Sequence, residues 1–112
     1  MAVPWDLVAD IGGTNARFGV ILSGEQKITQ EFHHSVREYP KFSQVISALF
    51  SEIRISLGLK YAPQRICFAV ACPADSEHIS FTNSHWEFSK TDLFCELGCQ
   101  ELAIINDFEA VA

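Results

Sequence analysis

Two hydrophobic periods divide this chain. Leu7 to Ile11 is a continuous apolar run broken only by Asp10, and Gly12-Gly13 then forces a tight turn. In the run that follows, Phe18, Val20 and Leu22 alternate with Arg17, Gly19 and Ile21. Ser23-Gly24-Glu25 supplies turn chemistry ahead of Ile28, Gln30 and Phe32. These pieces predict three consecutive antiparallel strands.

From Pro40 the period lengthens. Phe42, Val45, Ile46, Leu49, Phe50, Ile53 and Leu57 recur at the spacing of one buried helix face, with Pro40 suited to the first turn and Gly58 to the stop. Arg65 to Ala71 reads as a buried strand ended by Cys72-Pro73, and His78 to Thr82 as a shorter extended piece. Ser89 and Asp92 resemble a capping box for a short helix through Leu97 that Gly98 closes, and Leu102 to Ile105 is the last strand. The order predicts an α/β fold: a mixed sheet of about five strands, the first three antiparallel, with helices packed against its faces. Asn106-Asp107 resembles a helix N-cap, yet Phe108 to Ala112 provide barely one turn, so a truncated helix is expected there.

Composition narrows the function classes. The 112 residues are 48% hydrophobic and 20% charged, enough apolar material for one packed domain. Eight basic against 14 acidic residues give a net charge of -6, which disfavours nucleic acid and anionic membranes as partners. A protein that handles phosphate on this background needs local devices such as backbone N–H groups, a bound cation, or charge from another domain. Met1 to Asp6 carries no basic stretch before an apolar run, and no segment approaches bilayer-spanning length, so a cytoplasmic location is expected. Cys67, Cys72, Cys95 and Cys99 lack CxxC spacing and are expected to be reduced, small buried hydrophobes. His33-His34 has no third ligand placed by spacing, so both are expected at the surface.

Three stretches carry candidate chemistry. In Asp10-Ile11-Gly12-Gly13-Thr14-Asn15-Ala16-Arg17 a carboxylate at a strand end precedes a glycine turn and a hydroxyl. Such a turn can aim backbone N–H groups at phosphate oxygens, and Asp10 can hold magnesium through water. The spacing is neither a P-loop nor a dinucleotide turn, and on the residues alone an ordinary Gly-Gly hairpin explains it equally well. Arg17 suits a phosphate contact and a cross-sheet ion pair alike. In Ile104-Ile105-Asn106-Asp107-Phe108 an amide and a carboxylate end an apolar strand, a place for a helix cap or for a general base. The loop Phe81 to Phe88 mixes amide, hydroxyl and aromatic groups, which suits a hydroxyl-rich ligand, although Trp86 and Phe88 are commonly core residues.

The first segment resembles the phosphate motif of the sugar kinase, Hsp70 and actin superfamily, in the Asp-x-Gly-Gly-Thr-x-x-Arg form of hexose kinases. With Thr82-Asn83-Ser84-His85-Trp86 in the middle and Asn106-Asp107-Phe108 at the end, the chain resembles the N-terminal domain of the bacterial glucokinase family from Leu7 onward. Phe108 fits that branch, whereas repressor-related kinases usually carry Ala-Asn there. The resemblance implies one half of a ribonuclease H-like actin/hexokinase ATPase fold, completed by a larger C-terminal domain. It implies phosphoryl transfer from magnesium ATP to the 6-hydroxyl of glucose. Asp107 would be the base, Asn83 and Asn106 sugar ligands, Asp10 the metal-positioning carboxylate, and Gly12, Gly13, Thr14 and Asn15 the phosphate-facing turn. Another hexose kinase, and a non-catalytic sugar-binding module on the same half-fold, stay open as alternatives. The resemblance also leaves a homodimer open.

Overall fold

The computed structural model describes residues 4–81 and 85–106. Asn83 and Asp107 therefore lie outside the described residues, as do the expected capped helix after Asn106 and Phe108. The elements are β1 (Trp5–Ile11), β2 (Asn15–Leu22), β3 (Gln30–Ser35), a 3-10 turn (Val36–Glu38), α1 (Phe42–Leu57), β4 (Arg65–Val70), β5 (His78–Ser80), β6 (Glu87–Ser89), α2 (Lys90–Leu97) and β7 (Glu101–Asn106).

A five-stranded sheet in the order β3-β2-β1-β4-β7 forms the body, and β5 and β6 make a separate two-stranded ribbon. The first three strands are antiparallel, as expected from the sequence, while β4 runs parallel to β1 and β7 parallel to β4, which makes the sheet mixed. Period-two patterning sends Leu7, Ile11, Phe18, Val20, Ile66, Phe68 and Val70 to one buried face. Helix α1 lays Phe42, Val45, Ile46, Leu49 and Ile53 into the same core, with the Phe42 ring edge-on to Phe68 at 6.0 Å. Helix α2 lies beside α1: Ile46 and Leu93 line one groove between them, and Phe50 and Leu97 line another. At the far end of the sheet a bidentate pair joins Arg65 to Asp6, at 3.2 and 2.8 Å, and this carboxylate raises the Arg65 pKa.

Several local expectations change. Helix α1 begins at Phe42, not at Pro40, because Gln44 Oε1 accepts the backbone N–H of its N-cap Lys41 at 3.0 Å. Pro40 sits one residue earlier and holds Tyr39 extended, at φ -126° and ψ 112°. Strand β3 begins at Gln30, leaving Ile28 44% exposed, because Thr29 donates its N–H to Val20 and receives that of Leu22 on Oγ1. The Ile28 side chain instead lies over Gly19, where an added Cβ would meet it at 3.1 Å. Residues 87–89 pair with β5 rather than continuing the loop, and Phe81 N–H to Trp86 O at 3.2 Å joins the flanks of this hairpin. Three residues are too few to display a period.

The two cap signals act as expected. Ser89 Oγ accepts from Asp92 N–H at 3.3 Å, and Gly98 ends α2 in the left-handed region. Glu77 adds a second cap from outside the helix: its carboxylate accepts the Thr91 N–H and hydroxyl, and the Thr91 side chain above all holds the Glu77 carboxyl below its ordinary pKa. Gly58 ends α1 at φ 71°, and a methyl group added there would meet nothing within 4 Å among the described residues. Gly58→Ala is therefore expected to cost only the backbone term, about 1–2 kcal/mol, read as a fall in the urea midpoint at constant slope.

Burial of the cysteines and histidines differs from expectation at two positions. All four cysteines are free thiols, with Cys72 and Cys99 buried and Cys67 half-buried, but Cys95 is exposed. It falls between Leu93 and Leu97, the residues that α2 turns inward. Apolar surroundings raise the Cys99 thiol pKa. His33 is exposed as expected, whereas His34 is buried at 9% exposure, on the face shared with Phe32. Its ring nitrogens are satisfied by Glu52 of α1 and by the Tyr39 hydroxyl, partners that the strand pattern alone does not specify.

Candidate functional site at the ends of the parallel strands

Strands β1, β4 and β7 end level with one another. Ile11 is in register with Val70, and Val70 with Asn106, so the segments that leave these strands emerge along one edge. In a parallel sheet this carboxyl edge is where loops converge to bind ligands. Two strand spacings separate β1 from β7, about 10 Å, enough room for a small polar ligand between them.

Asp10 ends one side of that edge. It is exposed, and its register partners are Arg17 on β2 and Ala69 on β4. The next residues form a tight turn closed by Gly12 N–H to Asn15 O at 2.9 Å. The turn is held from outside, because Val36 N–H donates to Thr14 O at 2.9 Å. Thr14 and Asn15 are exposed and Gly12 and Gly13 half-exposed, so a ligand can approach the backbone closely. Arg17 lies in register between Asp10 and His33 and forms no ion pair among the described residues. The cross-sheet pair weighed for it is thus not formed there.

Asn106 ends the other side. Its Nδ2 donates to Cys72 O at 2.7 Å, which fixes the orientation of the amide. Cys72 belongs to the segment after β4, whose Ala71 N–H donates to Ile11 O at 3.2 Å. The Asp10 turn and the Asn106 amide are thus braced against the same connecting segment. The sequence showed Cys72-Pro73 only as a strand stop; its carbonyl orients Asn106, a role that becomes visible only once the register is known.

The segment containing Asn83 is represented here by its flanks. Trp86 is 1% exposed, with its ring edge-on to Phe42 at 5.5 Å and its Nε1–H donated to Tyr39 O at 2.8 Å. The expectation that Trp86 is a core residue is met. His85, exposed, reaches the same carbonyl through Nε2 at 2.8 Å. Tyr39 has no signal in the sequence pattern.

Among the described residues no three His, Cys, Asp or Glu side chains are grouped to enclose a metal ion. Asp10 is a single exposed carboxylate at the turn, a donor set that fits a cation retaining most of its water. No described helix is long and apolar enough to cross a membrane.

A family model described as Glucokinase matches residues 7–112. A glucokinase of Colwellia psychrerythraea is 38% identical over 107 residues, covering 96% of this chain and 31% of the relative. The crystal structure of a glucokinase from an Antarctic psychrotroph superposes with a TM-score of 0.82 at 31% identity, covering 95% of this chain and 33% of that one. A glucokinase of the ROK family from Streptomyces griseus, solved with glucose and AMPPNP, shares the fold with a TM-score of 0.60 at 17% identity. The chain spans about a third of the length of the curated relatives it matches.

Proposed function

Because this chain belongs to the glucokinase family, we propose that it is the N-terminal, sugar-side domain of an ATP-dependent glucose kinase, completed by a larger C-terminal domain. The observation that carries this reading is the shared edge: the Asp10 turn and the Asn106 amide end the two parallel strands that flank β4, and both are braced by the segment that follows it. A phosphate-facing turn and a sugar-facing amide must lie this close for one cleft to align donor and acceptor.

In this reading Gly12, Gly13, Thr14 and Asn15 present the turn to the ATP phosphates. Asp10 holds magnesium through water, and the cation supplies charge neutralisation on the phosphates when bound. Asn83 and Asn106 take hydroxyls of glucose. Asp107 accepts the O6 proton as the O6–P bond forms and the bond from the γ-phosphorus to the ADP oxygen breaks. The acidic net charge of -6 fits a site that handles phosphate through backbone dipoles and a cation rather than a basic surface. The glucose and AMPPNP named for the Streptomyces griseus protein support these two ligand classes.

A substrate panel on the full-length enzyme tests the assignment. Glucose is expected to give the highest kcat/KM with ATP, ahead of mannose and N-acetylglucosamine. A higher value for either competitor overturns glucose as the substrate while keeping the kinase. The 112-residue chain by itself is expected to give no sugar-dependent ADP release, since the adenosine side of the cleft is assigned to the other domain.

A further inference from the structure

One partly buried polar cluster has no part in the roles assigned so far. His34 projects from β3 into the core and bonds Glu52 of α1 through Nε2 and the Tyr39 hydroxyl, at 3.2 Å, through Nδ1. In the neutral imidazole a carboxylate at Nε2 favours the tautomer protonated there, and Nδ1 then accepts the Tyr39 O–H. The two rings meet edge-on, 5.3 Å apart. The Tyr39 backbone is held as well, by its N–H to Val36 O at 3.2 Å. Side chain and main chain together therefore set the direction of the Tyr39 carbonyl.

That carbonyl is the acceptor shared by His85 Nε2 and Trp86 Nε1, each at 2.8 Å, across sequence separations of 46 and 47 residues. Its two lone pairs suit two donors. Trp86 is already fixed by burial against Phe42, so hydrophobic packing alone explains its position. His85 is exposed, and packing does not explain it; its bond constrains the chain two residues after Asn83.

We propose that Tyr39 is a positioning residue for the sugar-binding segment, acting through its carbonyl on His85 and itself locked by His34, which Glu52 holds in turn. The inference rests on the proposed assignment of Asn83 to glucose. It adds a brace outside the residues assigned to glucose and ATP: β3 and α1, through Tyr39, hold His85, two residues after Asn83. Removing the Tyr39 hydroxyl or the His85 ring weakens glucose binding and leaves the phosphate turn in place, because the bond from Val36 N–H to Thr14 O is made by the main chain and involves neither side chain.

The test uses the full-length enzyme with glucose and ATP varied in turn, for wild type, Tyr39→Phe, His85→Ala and the double variant. Each single variant is expected to raise the KM for glucose roughly 3–10-fold, the worth of one hydrogen bond, with kcat and the KM for ATP within about twofold. The double variant is expected to fall short of the product of the singles, since both act on one carbonyl. A merely structural role predicts a lower melting temperature with the glucose KM unchanged, and that result overturns the proposal. Equal rises in both KM values overturn it too. If Tyr39→Phe does not fold, the surface variant His85→Ala decides alone. Wild-type enzyme that binds glucose but does not phosphorylate it refutes the kinase reading separately, and the Kd for glucose in the same variants then decides the brace.

Discussion

In the full-length enzyme Asp107→Asn is expected to lower turnover by roughly 10²–10⁴-fold while the protein folds normally. The substitution separates the two duties that the sequence leaves open at this position. Asparagine caps a helix about as well as aspartate, so a residue needed only for capping tolerates the change. An amide has no basic oxygen able to take the proton from the attacking hydroxyl, so a base does not. The variant should still bind glucose, because the amide keeps a hydrogen-bonding oxygen of the same shape. Measured kcat with unchanged circular dichroism and a near-native glucose Kd checks the claim. Near-native turnover removes Asp107 from the chemistry and leaves it a cap.

Phe68→Ala is expected to produce the largest loss of stability, about 3–5 kcal/mol, from transfer and cavity terms together. Phe68 sits fully buried on β4, between β1 and β7 in the sheet, edge-on to Phe18 of β2 at 6.4 Å and to Phe42 of α1 at 6.0 Å. Its removal therefore opens a void where sheet and helix meet. Such a loss is a large part of the 5–15 kcal/mol that keeps an ordinary domain folded. Urea denaturation followed in this domain reads it directly, with Phe94→Ala, on the exposed side of α2, as the low-cost control. A cost below about 0.5 kcal/mol for Phe68→Ala contradicts the burial of this ring between sheet and helix.

Much of this architecture is legible in the sequence because each strand carries its own alternation and each helix its own stop. Leu7, Ile11, Phe18, Val20 and Phe68 reveal their common face through period two, and Gly58 and Gly98 announce the ends of α1 and α2. The details that differ depend on partners far along the chain. His34 reads as a surface residue until Glu52 and Tyr39 satisfy it, and β6 is invisible until β5 offers it a ladder. Pro40 reads as a helix start because its ring suits a first turn, but Gln44 caps from Lys41 and places the boundary after it.

The candidate site divides in the same way. Asp10, Gly12, Gly13, Thr14 and Asn106 are recognisable as residue types in a motif, since glycine turns and strand-end amides have a local logic. Their convergence is not local. It follows from the parallel registers of β1 with β4 and of β4 with β7, which no spacing in the sequence encodes. The same holds for the Cys72 carbonyl that orients Asn106 and for the Tyr39 carbonyl that binds His85 and Trp86.

Whether the Asp10 turn and the Asn106 edge form the sugar-side half of a glucose kinase is decided by incubating the full-length protein with magnesium ATP and glucose and following ADP and sugar phosphate together. ADP release is expected to depend on glucose and to be matched one for one by glucose 6-phosphate, with little ATP hydrolysis when glucose is absent. Glucose binding without phosphoryl transfer, or ADP release indifferent to glucose, would contradict it.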